Sequence, residues 1–293
     1  MEVYTSLIID IKKSRVYSVA VRNEIQEYLL KCVDALNFIL KEQMVFPVDF
    51  SAGDELQGLF RHTAAAFMYV RLLGIVMKPV EIRAGIGVGE WNVRVSDGGS
   101  TRQDGPAYHI ARRAIEEVHG RQTERFRIMA NDRPDIMGTY LANASMRLLE
   151  EQTWFQGQVQ FISELMFPFV LSETQAEKMD ESGGLLMEHF WQFRRNMPSA
   201  KSGTGIWTMP DRKAADGNIQ VKGSVKVQKV IYINGELEDG EKRLEHQNAA
   251  SIITEITGST RQNVEKMIKR GNVMIVRNMD FMALQYLYRE YGG

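Results

Sequence analysis

The sequence predicts an α+β fold, in which an antiparallel sheet with helices precedes a mainly helical C-terminal region. Three observations lead to this prediction. An apolar, β-branched run at residues 3–11 is typical of a central strand. The segment FSAGDELQGLF at residues 50–60 is typical of two short strands that fold back on each other. Near the C-terminus, two segments with helical spacing lie on either side of Gly258.

The first strand leads into a polar connection. The apolar run ends near Asp10, and apolar positions at helical spacing predict a helix from about residue 19 to 43. Between them lie four polar residues: Lys12, Lys13, Ser14 and Arg15. Backbone amides and cations at such a connection can meet phosphates, so we expect these four residues to contact a nucleotide. The alternative is an ordinary charged loop.

The hairpin at residues 45–60 carries two adjacent carboxylates at its tip, Asp54 and Glu55. A strand, a crossover helix and a hairpin make a split β-α-β unit. In that unit the first two strands are parallel, and the third lies between them in the opposite direction. The end of the first strand and the hairpin tip therefore share one edge of the sheet, which brings Asp10 close to Asp54.

Converging carboxylates repel one another unless a cation neutralises them. Asp10, Asp54 and Glu55 together therefore predict a Mg²⁺ or Mn²⁺ site that takes nucleotide phosphates. The alternative is that Asp10 caps a turn, while Asp54 and Glu55 belong to a polar hairpin without a ligand.

The remaining elements of this half complete one pattern. They are a helix at 64–77, a glycine-rich strand at 80–89, a polar and mobile loop at 92–105, a helix from Pro106 to about 118, and a strand at 126–130. The order β-α-ββ-α-β-α-β is that of a ferredoxin-like palm. We therefore assign residues 1–135 to a palm domain.

The helix that starts at Pro106 carries further candidate ligands. Arg112 and Arg113 point about 100° apart on a helix. One of the two is therefore expected to reach the site or a dimer partner, and the other to lie on the surface. His109 is expected either to face a base or to be exposed. Arg83, on the glycine-rich strand, is expected to form a salt bridge.

The C-terminal half divides into three predicted regions. Residues 136–198 are helical, with helices expected at 172–182 and 185–197. Residues 199–245 form a loop and hairpin insertion, in which alternation predicts a hairpin at 221–233. Residues 246–293 contain a helix-turn-helix.

The helix-turn-helix is predicted from two short helices, 249–256 and 261–270, with a turn at Gly258. The second helix could enter the major groove of double-stranded DNA. Its outward-facing candidates for DNA contact are Arg261, Gln262, Asn263, Lys266, Lys269 and Arg270. Such helix pairs also serve as dimer interfaces or as plain structural units.

Composition sets the outer limits of these predictions. With 293 residues, 44% hydrophobic and 25% charged, the chain is typical of a soluble globular protein. A net charge of −1 provides no overall attraction to nucleic acid or anionic membrane, so any basic surface must be local. The single cysteine, Cys32, excludes an intramolecular disulfide. Without a basic region before the first apolar run or a span of about 20 apolar residues, we expect a cytoplasmic protein with no membrane partner.

Four motifs and the helix-turn-helix together resemble the SatD family of bacterial proteins. The motifs are IIDIKKSR (8–15), FSAGDELQGLF (50–60), IRAGIGVGE (82–90) and DGPAYHIARRA (104–114). The resemblance covers about residues 3–130 and the C-terminal tail. Residues 198–245 resemble an insertion that the family pattern does not contain.

More distantly, the N-terminal half is similar to class III nucleotide cyclases and GGDEF-type proteins. The resemblance implies two metals, held by Asp10 with the Ile11 carbonyl and by Asp54. Phe50 stands where adenylate cyclases have a base-selecting lysine, and His109 stands where they have asparagine. Arg113 falls on the position of the arginine that stabilises the transition state. Because cyclases of this class build active sites across a head-to-tail dimer, a homodimer is implied by analogy.

These patterns lead to two hypotheses about function. The first is a metal-dependent protein that binds a nucleoside triphosphate, coupled to a helix-turn-helix. If it is an enzyme, a 3′-hydroxyl attacks the α-phosphate, with Asp10, Asp54 and Arg113 as catalytic residues. The second is a non-catalytic DNA-binding regulator whose palm senses a nucleotide or only dimerises.

Overall fold

The computed structural model describes most of the chain. The described residues are 2–96, 98–121, 123–196, 225–237, 244 and 248–292. They form a mixed α+β fold with one large sheet and a C-terminal set of helices. Among these residues, no helix is both long enough and apolar enough to cross a bilayer.

Eight strands occur in the described part of the chain. Their bounds are β1 (Tyr4–Ile11), β2 (Met44–Ala52), β3 (Glu55–Phe60), β4 (Ile82–Gly89), β5 (Phe126–Ala130), β6 (Arg133–Pro134), β7 (Phe169–Val170) and β8 (Ile231–Tyr232).

Nine α-helices occur in the same described residues. Their bounds are α1 (Val19–Ile39), α2 (Thr63–Met77), α3 (Pro106–His119), α4 (Ile136–Glu151), α5 (Trp154–Met166), α6 (Glu173–Asn196), α7 (Ala249–Thr257), α8 (Arg261–Arg270) and α9 (Val273–Tyr291). Short 3₁₀ helices lie at Ser14–Val16, Lys41–Gln43 and Ser100–Arg102.

The large sheet has the strand order β2-β3-β1-β4-β5-β6. Strand β1 is antiparallel to both β3 and β4, and β5 is parallel to β4. The third strand thus lies between the first two, as the split β-α-β unit predicts. This arrangement puts the end of β1 and the β2–β3 turn at one edge of the sheet.

Helices cover both faces of this sheet. Leu7 and Ile9 of β1 join the main core with α1 and α2, whereas Ile8 packs against Ala111 and Ile115 of α3. Alternate residues of a strand point to opposite faces, so α3 lies on the face opposite α1 and α2. Asp10 lies two positions after Ile8 and therefore points to the same face of the sheet, the face covered by α3.

Glycines on β4 let α3 approach the sheet closely. A Cβ at Gly87 would lie 2.2 Å from the Ala111 nitrogen and 2.4 Å from the Ala107 carbonyl oxygen. A Cβ at Gly85 would lie 2.4 Å from the Ala111 carbonyl oxygen. The glycine-rich strand predicted from sequence therefore has a packing role, since it seats the helix that carries Arg112, Arg113 and His119.

The loop between β4 and α3 is anchored to the sheet. Gln57 of β3 donates hydrogen bonds to the Ser100 carbonyl and hydroxyl, and Val93 forms a bridge with Asp104. The side chain of Gln103 bonds to both backbone groups of Val95. Gln57 therefore fastens the loop to β3 and Gln103 braces it internally, while the mobility expected for residues 92–105 stays a prediction.

Helix α9 ties the C-terminal region to the N-terminal half. It packs on α4 and α2, and Tyr286 and Tyr291 donate to the carboxylate of Asp135 at the start of α4. A second link is a fully buried group of charges on α2, α5 and α9, formed by Arg71, Glu164, Arg277 and Asp280.

Two elements of the C-terminal half differ from the predictions. The helices expected at 172–182 and 185–197 are one helix, α6, because Met179, Leu186 and Phe190 form one continuous buried stripe. The described part of the hairpin expected at 221–233 is not a hairpin. There β8 pairs in parallel with β7, and residues 221–224 lie outside the described residues.

Candidate functional site

The candidate site lies at the edge where β1 ends and β2 turns into β3. Ile9 pairs with Leu56 across the β1–β3 ladder, so Asp10 and Glu55 follow at the end of that ladder. Gly53 occupies the turn with φ +63°, and nothing lies within 4 Å of where its Cβ would be. The hairpin tip is therefore open to a ligand.

Asp10 forms a bidentate ion pair with Arg83. The two residues are Cα partners in the β1–β4 ladder, and the Arg83 Nε and Nη2 atoms each donate to one Asp10 oxygen at 3.0 Å. The Nε2 atom of His119, at the end of α3, lies 2.7 Å from the Asp10 Oδ2 atom. The side chains of Asp10 and Arg83 are only 14% and 18% exposed. Asp10 is therefore neutralised by the chain's own groups.

Glu55 is held in the same way from α3. Both of its carboxylate oxygens accept hydrogen bonds from the Arg112 guanidinium, and Oε1 also accepts from the Ser51 hydroxyl at 2.7 Å. Burial alone would raise the pKa of Glu55. The hydrogen bonds from Arg112 and Ser51 outweigh burial, so the pKa lies below its ordinary value. Glu55 is therefore ionised at neutral pH.

Asp54 differs from its two neighbours. Its side chain is partly exposed at the hairpin tip and makes no hydrogen bond or ion pair with the described part of the chain. It is the carboxylate at this edge that remains available to an incoming cation.

The oxygen atoms at this edge are chemically suited to a hard divalent cation, but two of the carboxylates already form ion pairs within the chain. Carboxylate and carbonyl oxygens, as in Asp10, Asp54 and Ile11, are the ligands that Mg²⁺ and Mn²⁺ prefer. However, within the described residues no three His, Cys, Asp or Glu side chains converge as a metal-binding group. The predicted trio of Asp10, Asp54 and Glu55 is thus brought to one edge, but two of its members are paired with arginines.

The four residues of the polar connection after β1 differ in their surroundings. Lys12 pairs with Glu81 at 2.6 Å. Lys13 has a left-handed backbone at φ 57°, and Ser14 begins a single-turn 3₁₀ helix. Lys13 and Arg15 are exposed near the site edge. A role for these residues in phosphate binding stays a prediction.

Helix α3 points its two adjacent arginines in different directions. Arg112 reaches Glu55, whereas Arg113 pairs with Asp132 in the β5–β6 turn. His109 lies 3.1 Å from Asp104 and is 72% exposed. It precedes His119 by ten residues, about 15 Å along the helix axis. Arg113 and His109 therefore do not join the Asp10 cluster.

The second predicted site, on α8, is an exposed polar face. Arg261, Gln262, Asn263, Lys266, Lys269 and Arg270 are all exposed, whereas Val264 is buried. Gly258 ends α7 with φ 65°, and the Thr260 hydroxyl caps α8 by accepting from the Asn263 nitrogen. The six candidates therefore lie on the solvent side of a well-capped helix.

Two residues of the edge were not predicted as part of the site. Arg83 was expected to form a salt bridge, which is confirmed, but its partner was not foreseen. His119 was one of five scattered histidines without ligand spacing. A signal for Arg83 was its position as the polar residue in an otherwise apolar strand, although only the β1–β4 register identifies Asp10 as its partner.

Comparison with known proteins gives a family and distant structural similarities. The chain is similar to two solved chains of a bacterial light-regulated adenylyl cyclase. The first is 13% identical, with a TM-score of 0.31, and covers 51% of this chain and 57% of that one. The second is 16% identical, with a TM-score of 0.30, and covers 43% of this chain and 74% of that one. No curated protein matches the sequence.

The family comparison covers more of the chain than the palm motifs alone. The family model described as "SatD family" matches residues 4–179, which include all six strands of the large sheet and helices α1 to α5. The match ends before residues 198–245, the predicted insertion. The chain therefore belongs to the SatD family.

Proposed function

We propose that the sheet edge of this SatD-family chain binds a nucleoside triphosphate together with Mg²⁺ or Mn²⁺. One observation carries the proposal: Asp10, Asp54 and Glu55 share one edge of the sheet with the guanidinium groups of Arg83 and Arg112. Carboxylates bind divalent cations, and guanidiniums bind phosphate oxygens. The metal and the phosphates of a metal–nucleotide ligand would therefore both have partners there.

The strand order supports a ferredoxin-like palm as the frame of this site. The order β2-β3-β1-β4, with β1 antiparallel to both neighbours, is the order that a β-α-ββ-α-β palm requires. We assign residues 1–135 to this palm domain. The metal would be held by Asp10, Asp54 and the Ile11 carbonyl, with Glu55 nearby. A cation bound there would lower the pKa of an attacking hydroxyl and offset phosphate charge.

The residues around the carboxylates would orient the triphosphate. Arg112 reaches the hairpin from α3, and the exposed Lys13 and Arg15 flank the end of β1. Arg113 points away from this edge toward Asp132, so a contribution to phosphate binding or catalysis would come from a second copy in a head-to-tail homodimer. On this proposal, turnover depends on the dimer, whereas nucleotide binding does not.

A product assay separates an enzyme from a sensor. Purified protein is incubated with all four ribonucleoside triphosphates and Mg²⁺ or Mn²⁺, and products and pyrophosphate are measured by mass spectrometry. We expect wild type to bind nucleotide. Any new product and pyrophosphate that wild type forms should be absent with Asp54→Asn. The control is Asp49→Asn, the same charge change at an exposed position on the same hairpin. If nucleotide binding survives in Asp54→Asn at wild-type affinity, the proposal is wrong.

A second candidate function belongs to the C-terminal region, residues 246–293. All six predicted contact residues on α8 are exposed, and α8 contacts α7 after the turn at Gly258, which supports the predicted helix-turn-helix. Four of these residues, Arg261, Lys266, Lys269 and Arg270, are basic. We propose double-stranded DNA as the partner of this face, because phosphates attract clustered basic side chains. With a palm that binds nucleotide and a helix that binds DNA, the chain would act as a nucleotide-responsive regulator.

A further inference from the structure

Arg83 forms the ion pair with Asp10 that a bound cation would have to replace. Its guanidinium spans both oxygens of Asp10 at 3.0 Å, and His119 lies 2.7 Å from one of them. Asp10 is therefore fully engaged before any cation arrives. A cation that binds Asp10 must compete with a charge-assisted bidentate pair, which is among the stronger side-chain interactions.

Arg112 forms a similar ion pair with Glu55. It bonds to both oxygens of Glu55, and burial around these groups is partial. The edge thus contains two carboxylate–guanidinium pairs that a metal–triphosphate ligand could exchange. The cation would take carboxylate oxygens, and the released guanidiniums would take phosphate oxygens. Each charge loses one partner and gains another of the same sign, so the exchange leaves no group unpaired.

We propose that Arg83 couples metal binding to nucleotide binding by such an ion-pair exchange. The inference rests on the proposed function and adds a residue, Arg83, with a specific role in it. Metal alone binds weakly, because it would release Arg83, whose side chain is only 18% exposed, from Asp10 and leave that guanidinium without a partner. Nucleotide alone binds weakly, because Arg83 and Arg112 are held by Asp10 and Glu55 and are not available to its phosphates. When both ligands bind, the cation pairs with the Asp10 carboxylate, and a phosphate pairs with the Arg83 guanidinium that the cation displaces. Each ligand therefore raises the affinity for the other, and the coupling is reciprocal.

The variant Arg83→Gln separates this exchange from simpler roles because it moves two affinities in opposite directions. Without a guanidinium on Asp10, metal alone should bind more tightly. Without a guanidinium for the phosphate, nucleotide at saturating metal should bind more weakly. A salt bridge that only blocks the site would strengthen both affinities on removal. A residue that only supports the fold would weaken both.

The experiment measures the two affinities separately. Free Mn²⁺ is followed by electron paramagnetic resonance in the absence of nucleotide, and binding of the α,β-methylene analogues of ATP and GTP is followed by equilibrium dialysis at saturating Mn²⁺. Relative to wild type, we expect about fivefold or more tighter Mn²⁺ binding and about fivefold or more weaker analogue binding in Arg83→Gln. Arg147→Gln, at a 67% exposed arginine on α4, should change neither.

Other outcomes are distinguishable. If wild type binds Mn²⁺ and analogue but Arg83→Gln moves both affinities in the same direction or neither, the exchange is wrong and the proposed function stands. If wild type binds no analogue while Arg83→Gln binds Mn²⁺, the pair is permanently closed and the exchange is wrong. If no variant binds either ligand, the proposed function fails, and the exchange fails with it. Arg112→Gln, at a more exposed arginine, repeats the test if Arg83→Gln does not fold.

Discussion

The glycines of β4 control how closely α3 approaches the sheet. Gly87 lies directly beneath Ala107 and Ala111, where an added methyl group would overlap backbone atoms of the helix. We expect Gly87→Ala to lower the free energy of unfolding by about 1–3 kcal/mol, because backbone atoms cannot move aside as a flexible side chain can. Urea denaturation measures this change.

The matched control for Gly87→Ala is Gly99→Ala. Nothing lies within 4 Å of where a Cβ at Gly99 would be, and its φ is −70°. This substitution should change the free energy of unfolding by no more than about 0.5 kcal/mol. Equal losses in the two variants would show that α3 does not pack against β4 as closely as described.

His62 provides a prediction about pH. It precedes α2 and lies beside Tyr288 of α9, and burial, followed by the nearby charge of Arg61, lowers the pKa of its imidazole. The folded state therefore binds this proton less readily than the unfolded state. The stabilising contribution of neutral His62 is present above its ordinary pKa of about 6.5 and is lost as pH falls through the lower folded-state value.

The variant His62→Asn removes this titration. Between pH 7 and pH 5, we expect the melting temperature of wild type to fall more steeply than that of His62→Asn. Thermal denaturation followed by circular dichroism at several pH values makes the comparison. Parallel curves for the two proteins would contradict the assignment of a lowered pKa to His62.

At the scale of single elements, α8 provides the test of DNA binding. Lys266, Lys269 and Arg270 lie on its exposed face, and each phosphate contact contributes about 0.9 to the slope of log affinity against log salt. Replacing all three by alanine should weaken binding to duplex DNA and reduce the slope by up to about 3. Fluorescence anisotropy with labelled DNA at several salt concentrations measures both quantities.

A control with the same loss of charge uses three exposed lysines outside α8. Lys31, Lys41 and Lys229 are suitable, and their replacement by alanine should leave most of the DNA affinity in place. If the two triple variants lose affinity equally, the protein has only a diffuse attraction for DNA. In that case α8 is free to serve as a protein interface.

At the scale of the whole molecule, one buried charge cluster connects the two halves of the chain. Arg71 of α2 contacts Glu164 of α5 and Asp280 of α9, and Arg277 of α9 contacts the same glutamate. The central carbons of the two guanidiniums, those of Arg71 and Arg277, lie over the ring of Phe169, at 5.0 Å and 4.6 Å from its centroid. Burial raises the pKa of Glu164, but the two arginines outweigh it, and the pKa lies below its ordinary value.

Removing the shared glutamate charge should destabilise the whole fold. In Glu164→Gln, two buried guanidiniums would share one remaining carboxylate, at a cost of about 3–5 kcal/mol. Urea denaturation should show this as one earlier cooperative transition. Glu151→Gln, in an exposed pair with Arg147, should cost no more than about 1 kcal/mol. A separate early transition in Glu164→Gln would mean that the cluster does not couple the two halves.

The sequence predicted the sheet, and the placement of Asp10 beside the hairpin tip, better than it predicted the side-chain contacts at that edge. Short apolar runs predicted β1, β3 and β5, and the rules for a split β-α-β unit then placed Asp10 and the hairpin tip at one edge. No local pattern could pair Asp10 with Arg83, since that contact depends on the β1–β4 register across 73 residues of chain.

The C-terminal half was less predictable because its structure depends on distant packing. The single helix α6 contains Gly183 and Gly184, which local propensity disfavours in a helix, yet its buried stripe continues across them. The parallel pairing of β8 with β7 likewise joins segments about 60 residues apart. Such contacts leave little trace in the local pattern.

The most direct test of the central proposal is a crystal structure with Mn²⁺ and a non-hydrolysable nucleoside triphosphate, with the metal located by anomalous scattering. The proposal predicts a Mn²⁺ peak about 2.1 Å from carboxylate oxygens of Asp10 and Asp54, with Arg83 moved from Asp10 to a phosphate oxygen. A nucleotide bound elsewhere, or no bound metal while Arg83 still spans Asp10, would contradict the assignment of this sheet edge as a metal–nucleotide site.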